Sequence, residues 1–421
     1  MHVIVVGAGL MGLTTAWFLR QHGVDVSVIE RASGAGLETS FANGGMLHAS
    51  QASPWNEPGV LRQALGMLGR EDAALLIRPR ALLGMLPWAW GFFRNARSDR
   101  YLANLAKNTR LAAYSLQVLE THFSAFAELF GRAERGTLKI YRTAEELAAA
   151  QQVATRCLAF DVRYDILDAA AVVALEPALT PIRDAISGGI HFPGDVSGDA
   201  HLFCRALAER GAANGIRFDF ETNVDRLLLR GARCEGVECA GEVRLADACV
   251  LAAGSFSPLL LRTLGISLPV QPVKGYSLTI PLEGWPVAPQ VPVIDEHFHA
   301  AACPLGGHLR VAGTAEFAGF DAALTNSRIE NLYTLVERLY PAGAACIDRR
   351  QVAHWTGLRP MSPDGVGIMG ETAIGGLFVN TGHGHLGWTM APGAGKLVAD
   401  RIAGSTTDLA LDDFLPARFR R

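Results

Sequence analysis

The chain of 421 residues is as informative in what it omits as in what it holds. It has no basic excess: 38 lysines and arginines stand against 41 acids, a net charge of −3, which argues against nucleic acid as a partner. Seven cysteines are scattered singly, and the closest spacing, Cys234-x₄-Cys239, has no second pair to complete a zinc site or a disulfide framework. Free thiols in a reducing compartment are expected, and no metal. No uninterrupted apolar run reaches membrane-spanning length. With a strand beginning beside Met1, no cleaved signal segment and a cytoplasmic location are expected. Low-complexity linkers and internal repeats are absent. So are the G-x-S-x-G, H-E-x-x-H and Walker-type patterns, which removes the commonest hydrolase and nucleotide-hydrolysis chemistries.

What remains is a globular, slightly apolar composition, 49 % hydrophobic and 19 % charged, long enough for two domains. The opening residues, MHVIVVGAGLMGLTTAWFLRQHGVDVSVIE, place a β-branched run before Gly7, Gly9 and Gly12, then an apolar helix, then a second strand ending at Glu30. Gly7 permits the turn out of the strand, Gly9 lets a pyrophosphate approach the backbone, and Gly12 lets helix and strand pack closely. Ala8, Leu10 and Met11 complete the loop, whose helix N-terminus offers free N–H groups to phosphate. Glu30, eighteen residues after Gly12 and followed by Arg31, suits a ribose hydroxyl pair. A strand, this loop, a helix and an acid in that order predict dinucleotide binding.

The chain then visits two layers alternately. Residues 1–60, 190–268 and 352–421 read as the nucleotide domain, and 61–189 with 269–351 as an inserted, strand-rich second domain. Within them, 138–143 reads as a strand, 144–159 as a helix, and 197–215 as a helix with Asp199 as N-cap and Gly215 as its stop. Residues 243–257 run from a strand into Ala253–Gly254. Further helices are expected near 325–340 and over 388–403. Residues 81–97 (ALLGMLPWAWGFFRNAR) read as a core helix broken at Pro87; the competing reading is an amphipathic segment at a membrane interface.

Several segments have chemistry to offer. The polar loop Ser40–Met46, with Asn43, Gly44 and Gly45, follows the Glu30 strand and suits the edge of a flavin ring. Gly384, His385, Leu386, Gly387, Trp388 and Thr389 lie where a strand meets a helix, whose dipole would stabilise negative charge on a reduced flavin. Arg359, before Pro360, is either a bidentate carboxylate clamp or the ion-pair partner of Asp364. Tyr276 could present its hydroxyl to a substrate or be an ordinary sheet tyrosine. His297 and His299 share a strand face by spacing, without a third metal ligand. His48 adjoins the polar loop.

GAGLMG with Glu30, ETSFANGG, SGD at 197–199, VKGYS, IDE with AGTAEFAGFD, WTGLRPMSPDG and NTGHGHLGW follow in this order. Together they resemble the bacterial D-amino-acid dehydrogenases of the D-amino-acid oxidase, glycine oxidase and sarcosine oxidase group. The resemblance covers nearly the whole chain. It implies an α/β and α+β architecture: a Rossmann-type, glutathione-reductase-like FAD domain and an inserted mixed-sheet substrate domain. It implies non-covalent FAD, since 355–364 lacks the cysteine of relatives that attach it. The implied reaction is oxidative deamination of a D-amino acid, with electrons passed to a quinone or respiratory carrier. Carried over by position, Gly7, Gly9, Gly12 and Glu30 hold the ADP half, Val224 meets the adenine side by its backbone, and Gly384–Thr389 meet the flavin pyrimidine. Arg359 clamps the substrate carboxylate, with Tyr276, His385 and His48 near the substrate. Histidines at 48, 297, 299 and 385 depart from the usual pattern, which leaves the preferred amino acid open and keeps D-proline or a hydroxy-D-proline in view. Peripheral contact with the inner face of the cell membrane and the oligomeric state are left open. The alternatives are an oxygen-using oxidase of glycine, sarcosine or an imino acid, and a non-catalytic flavin-binding assembly protein.

Overall fold

The computed structural model describes residues 1–67, 69–71, 73–298 and 300–419. Its organising element is a six-stranded sheet in which His2–Val6 lies between Asp25–Ile29 and Ala248–Leu251. Arg217–Asp219 and Leu377–Thr381 extend it on either side, all parallel, and Ile368–Glu371 closes one edge antiparallel. The three central strands are nearly continuous runs of buried apolar residues, mostly Val, Ile and Leu, as expected where both sheet faces are covered.

Helix Leu10–Gln21 leaves the first strand and packs on the final helix, Gly387–Ala403, which in turn meets the long helix Ser98–Phe123. Small residues allow these approaches: a Cβ at Gly395 would sit 2.4 Å from Thr14 Oγ1. The helix at 200–213 forms as its sequence predicts. The Asp199 carboxylate accepts from the His201 and Leu202 N–H groups, and Gly215 takes a φ of +89° just beyond the end.

The second sheet is mixed and nine-stranded. Next to one edge, Gln271–Pro281 runs antiparallel between the edge strand Ala353–Met361 and His308–Phe317. Helix Asn326–Leu339 covers one face, burying Ile329, Leu332 and Val336 against Leu278, Ile280 and Val311. Sheet membership corrects the domain boundaries read from the sequence. Strand Ala353–Met361 and strand Gly188–Phe192 both belong to the second sheet, although 352 onward and 190 onward had been grouped with the nucleotide layer. Alternation along a strand does not say which sheet the strand joins.

Two local expectations also change. Helix Pro79–Asn95 runs through Pro87 without breaking, because Ala81, Met85 and Trp88 anchor one face on both sides of the lost backbone hydrogen bond. His297 lies in a turn after the short strand Val293–Asp295, so no strand face presents it beside position 299; His299 itself lies outside the described residues. No cluster of three metal-ligating side chains occurs among the described residues.

Candidate active site

A cleft of about 990 Å³ runs between the two sheets, from the Gly7–Met11 loop to Arg359. At its nucleotide end the three glycines do different work. Gly7 has φ +108°, and a Cβ there would lie 2.7 Å from Ala252 O; one at Gly12 would lie 1.8 Å from Gly7 O. Both are required by the protein's own packing. A Cβ at Gly9 would meet only Ser40 Oγ, at 3.4 Å, so the bareness of Gly9 serves whatever enters the cleft. The helix it opens has neither a capping side chain nor an acid in its first turn, though Leu10 N–H donates to Ser40 Oγ at 3.2 Å. Its positive end is left to meet an anion.

Glu30 accepts from Ala8 N–H at 2.7 Å and Ala32 N–H at 2.9 Å, which holds its carboxylate against the loop with lone pairs to spare for a ribose. Arg31 pairs with Glu38 and lies 3.8 Å over the Phe256 ring. Val224, Ala253 and Gly254 line the same end of the cleft, and Thr381 Oγ1 donates to Gly254 O at 3.0 Å. These residues fit the ADP half of FAD in shape and in donor set. Ser40, Asn43, Gly44 and Met46 continue the wall. Gly45 is committed to packing: its carbonyl accepts from Gly198 N–H at 2.8 Å, and a Cβ would strike Leu305. At the far turn, Gly384, His385 and Gly387 line the cleft, and the final helix again begins without a cap or an acid. Leu386 turns its side chain into the core instead, and Trp388, which also borders the cleft, donates its indole N–H to Gly198 O at 3.0 Å within that core. Thr389 Oγ1 accepts from His48 N–H at 3.1 Å and fixes the histidine segment to that helix.

Arg359 brings a buried cation to the wall of the cleft. It projects from Ala353–Met361 across Gly275 of the neighbouring strand, where a Cβ would sit 1.9 Å from Nη1. Nη1 donates to Thr314 O at 3.2 Å. Among the described residues no carboxylate pairs with it. Asp364, its rival partner on composition, is taken by Arg418 Nε at 2.8 Å. Burial pulls the Arg359 guanidinium down to about 10. A cation desolvated this far and lacking an acid partner is built for an anionic ligand. His385 stacks on Trp55, with ring centroids 5.2 Å apart and planes 19° from parallel. Burial, then the neighbouring His48 and Arg359, push His385 down to about 3; burial pushes His48 down to about 4 and leaves its Nδ1 without a partner. Both rings are neutral at physiological pH.

Tyr276 is corrected. It is 1 % exposed and donates to Glu316, which also receives Arg78 Nε at 2.6 Å. The reason is the two-residue period of the strand. Gly275 faces the cleft; Tyr276 also borders it, but its side chain turns to the opposite side, into the core under helix Asn326–Leu339. Sequence reasoning missed Trp55, Trp355 and Thr314, all of which line the cleft. Alternation along 353–361 from Arg359 would have found Trp355; the other two come from a loop and a bulge and left no periodic signal.

The fold, the glycine loop and the unpaired arginine define a flavin-dependent oxidoreductase. The chain belongs to the FAD dependent oxidoreductase family, whose model matches residues 2–401. It is 43 % identical over 420 residues, the full length of both chains, to a D-amino acid dehydrogenase of Methylobacterium radiotolerans. It is 40 % identical over 419 residues, again all of both, to one of Rhizobium johnstonii. Among solved structures, L-proline dehydrogenase from P. horikoshii superposes with a TM-score of 0.77 at 18 % identity, over 99 % of this chain and 97 % of that one. Glycine oxidase from Geobacillus kaustophilus gives 0.75 at 24 %, over 100 % and 99 %. Both share the fold.

Proposed function

We propose that the protein oxidises a D-amino acid to the 2-oxo acid and ammonia, and the observation that carries this reading is the acid-free Arg359 guanidinium in the same cleft as the glycine loop. When bound, FAD supplies a two-electron acceptor for hydride. Gly7, Gly9, Glu30, the Ser40–Met46 loop, Val224 and Gly384–Gly387 would hold it without a covalent link. Arg359 takes the substrate α-carboxylate in a fork and fixes the face that Cα presents. The neutral amine's lone pair drives expulsion of the Cα hydrogen with its electron pair, leaving an iminium. Water then adds to that carbon, and ammonium leaves. His48 and His385, uncharged, wall the site without repelling Arg359 or the amine. The uncapped end of the final helix stabilises negative charge gained nearby. Trp55 and Trp355 give the pocket a flat apolar wall, which suits apolar or cyclic side chains such as that of D-proline.

The acceptor side of this reading rests on the helix Pro79–Asn95. Its inner face is buried, but Leu82, Leu86 and Trp90, four residues apart, are 42 %, 56 % and 63 % exposed. Leu61 on the neighbouring helix Val60–Met67 is also exposed, and both helices line the mouth of the cleft. Residues 58–100 hold seven arginines and three acids in a chain whose net charge is −3. An apolar stripe rimmed by arginines suits the surface of an anionic bilayer, and a lipid-borne quinone leaving that surface would reach the cleft directly. No described helix is long and apolar enough to cross a membrane.

The test is anaerobic mixing of the FAD-loaded protein with D- and L-amino acids, D-proline included, while the visible flavin band is followed. Bleaching by D-isomers alone is expected. No bleaching by any of them would end this reading, and rapid peroxide release in air would favour an oxidase instead.

A further inference from the structure

Four non-glycine residues have positive φ among the described residues, and three of them lie in turns. The fourth, Thr314, has φ +55° inside the strand His308–Phe317. It sits in a β-bulge. Lys274 pairs with Glu316 and Tyr276 with Gly313, so Thr314 and Ala315 together oppose the single residue Gly275. The bulge swings Thr314 O to within 3.2 Å of Arg359 Nη1, directly across the gap that Gly275 leaves open.

A β-branched residue is a poor choice for this backbone; glycine or asparagine would adopt it with less strain. Strain of this kind persists where the surroundings over-determine it, and it gathers at ligand sites. The carbonyl that meets Arg359 would be present with any side chain, so it does not account for threonine. The hydroxyl does no structural work either. Thr314 Oγ1 is buried and has no hydrogen-bond partner among the described residues, although the residue lines the cleft.

We propose that Thr314 is a substrate-binding residue: its hydroxyl donates to the same α-carboxylate that Arg359 takes, while its bulged carbonyl aims the guanidinium. This rests on the reading of Arg359 as a carboxylate clamp. It assigns the second carboxylate contact to Thr314 rather than to His385, whose ring is stacked on Trp55.

Propionate, which is D-alanine without its amine and cannot be deaminated, isolates the carboxylate contact. Calorimetric titration of the FAD-loaded protein with propionate should show about tenfold weaker binding in Thr314→Val than in the wild type, from loss of one hydrogen bond to a charged group. KM for D-alanine should rise by the same factor, with kcat within threefold. Thr314→Ser should bind as the wild type does. Thr314→Gly should melt at a higher temperature than the wild type yet bind propionate as weakly as Thr314→Val. Thr314→Ala replaces the valine variant if that one misfolds. Wild-type affinity in both hydroxyl-free variants, or equal loss in Thr314→Ser, would overturn the proposal. Failure of every D-amino acid to reduce the wild type, with the propionate difference intact, would count against the reaction and leave Thr314 in place as a carboxylate contact.

Discussion

Arg418 holds Asp364 through both carboxylate oxygens, at 2.8 and 3.3 Å, while Arg359 has no acid partner among the described residues. Asp364 lies only five residues from Arg359 in sequence, yet its carboxylate is engaged by the C-terminal segment. Arg418 also donates to Val366 O at 2.8 Å, so the pair ties the end of the chain to the turn after the clamp strand.

Arg359→Ala should lower kcat/KM for the best D-amino acid by about 10²- to 10³-fold, the cost of removing one partner of a desolvated charge pair. The variant should stay yellow, because Arg359 is not among the residues placed around the ADP half. Asp364→Asn should do the reverse: a lower melting temperature from the broken Arg418 tie, with KM nearly unchanged. Steady-state kinetics and thermal melts of the two variants separate the roles. An Asp364→Asn variant with raised KM and unchanged melting would contradict the assignment.

The glycine loop makes a sharper distinction than its motif does. Gly12→Ala puts a Cβ 1.8 Å from Gly7 O and should destabilise the apoprotein. In Gly9→Ala the nearest protein atom is 3.4 Å away, so the apoprotein should melt as the wild type does while FAD content falls. Flavin-to-protein absorbance ratios alongside apoprotein melts decide this. Equal losses of stability in both variants would show that Gly9, too, is a packing glycine.

The loop was legible in the sequence because its signal is local: strand, turn, helix and acid follow within thirty residues. Arg359 was legible only as an alternative, because the residue that takes Asp364 lies 54 positions beyond it. Tyr276 was misjudged since its strand alternates correctly but nothing local says which face meets the cleft. Thr314 left no trace, because a bulge is a mismatch between two strands that are both regular as text. Residues 81–97 were half legible: the core face exists, and so does an outward apolar stripe.

Burial sets a pH signature. His48 and His383 are held well below the usual histidine range, near 4 and 3 respectively, by loss of hydration. The unfolded chain protonates them near 6.5, so their neutral burial favours the fold fully above that value, and the benefit declines as pH falls through 6.5, by about 2 kcal/mol per histidine at pH 5. Asp195 acts with the opposite sign. Burial raises it to about 7, so the native state must carry a buried charge above that pH. Asp195→Asn should therefore gain melting temperature over the wild type between pH 5 and pH 8, a gap that thermal melts across pH measure. The profile of kcat/KM should show no histidine step between pH 5 and 8 and rise toward the amine's own ionisation. An inflection near 6.5 would show that His48 or His385 titrates in the working enzyme.

The arginine-rimmed stripe gives a prediction about place rather than chemistry. Burying Leu86 and Trp90 in a bilayer removes large apolar surfaces from water, and each nearby arginine adds about 1 kcal/mol at an anionic surface. The protein should therefore float with vesicles containing phosphatidylglycerol, less with neutral phosphatidylcholine, and be released by salt. The double variant Leu61→Glu, Trp90→Glu should remain in the unbound fraction while reducing a water-soluble dye with D-amino acids at the wild-type rate, since both residues are at least half exposed and neither lines the cleft. Reduction of a long-tailed quinone presented in vesicles should fall in the variant, whereas a short-chain soluble quinone should be reduced equally by both proteins. If the wild type ignores anionic vesicles and instead sediments as a dimer that the double variant breaks, the stripe is a contact between two copies of the chain, and electrons must leave by another route.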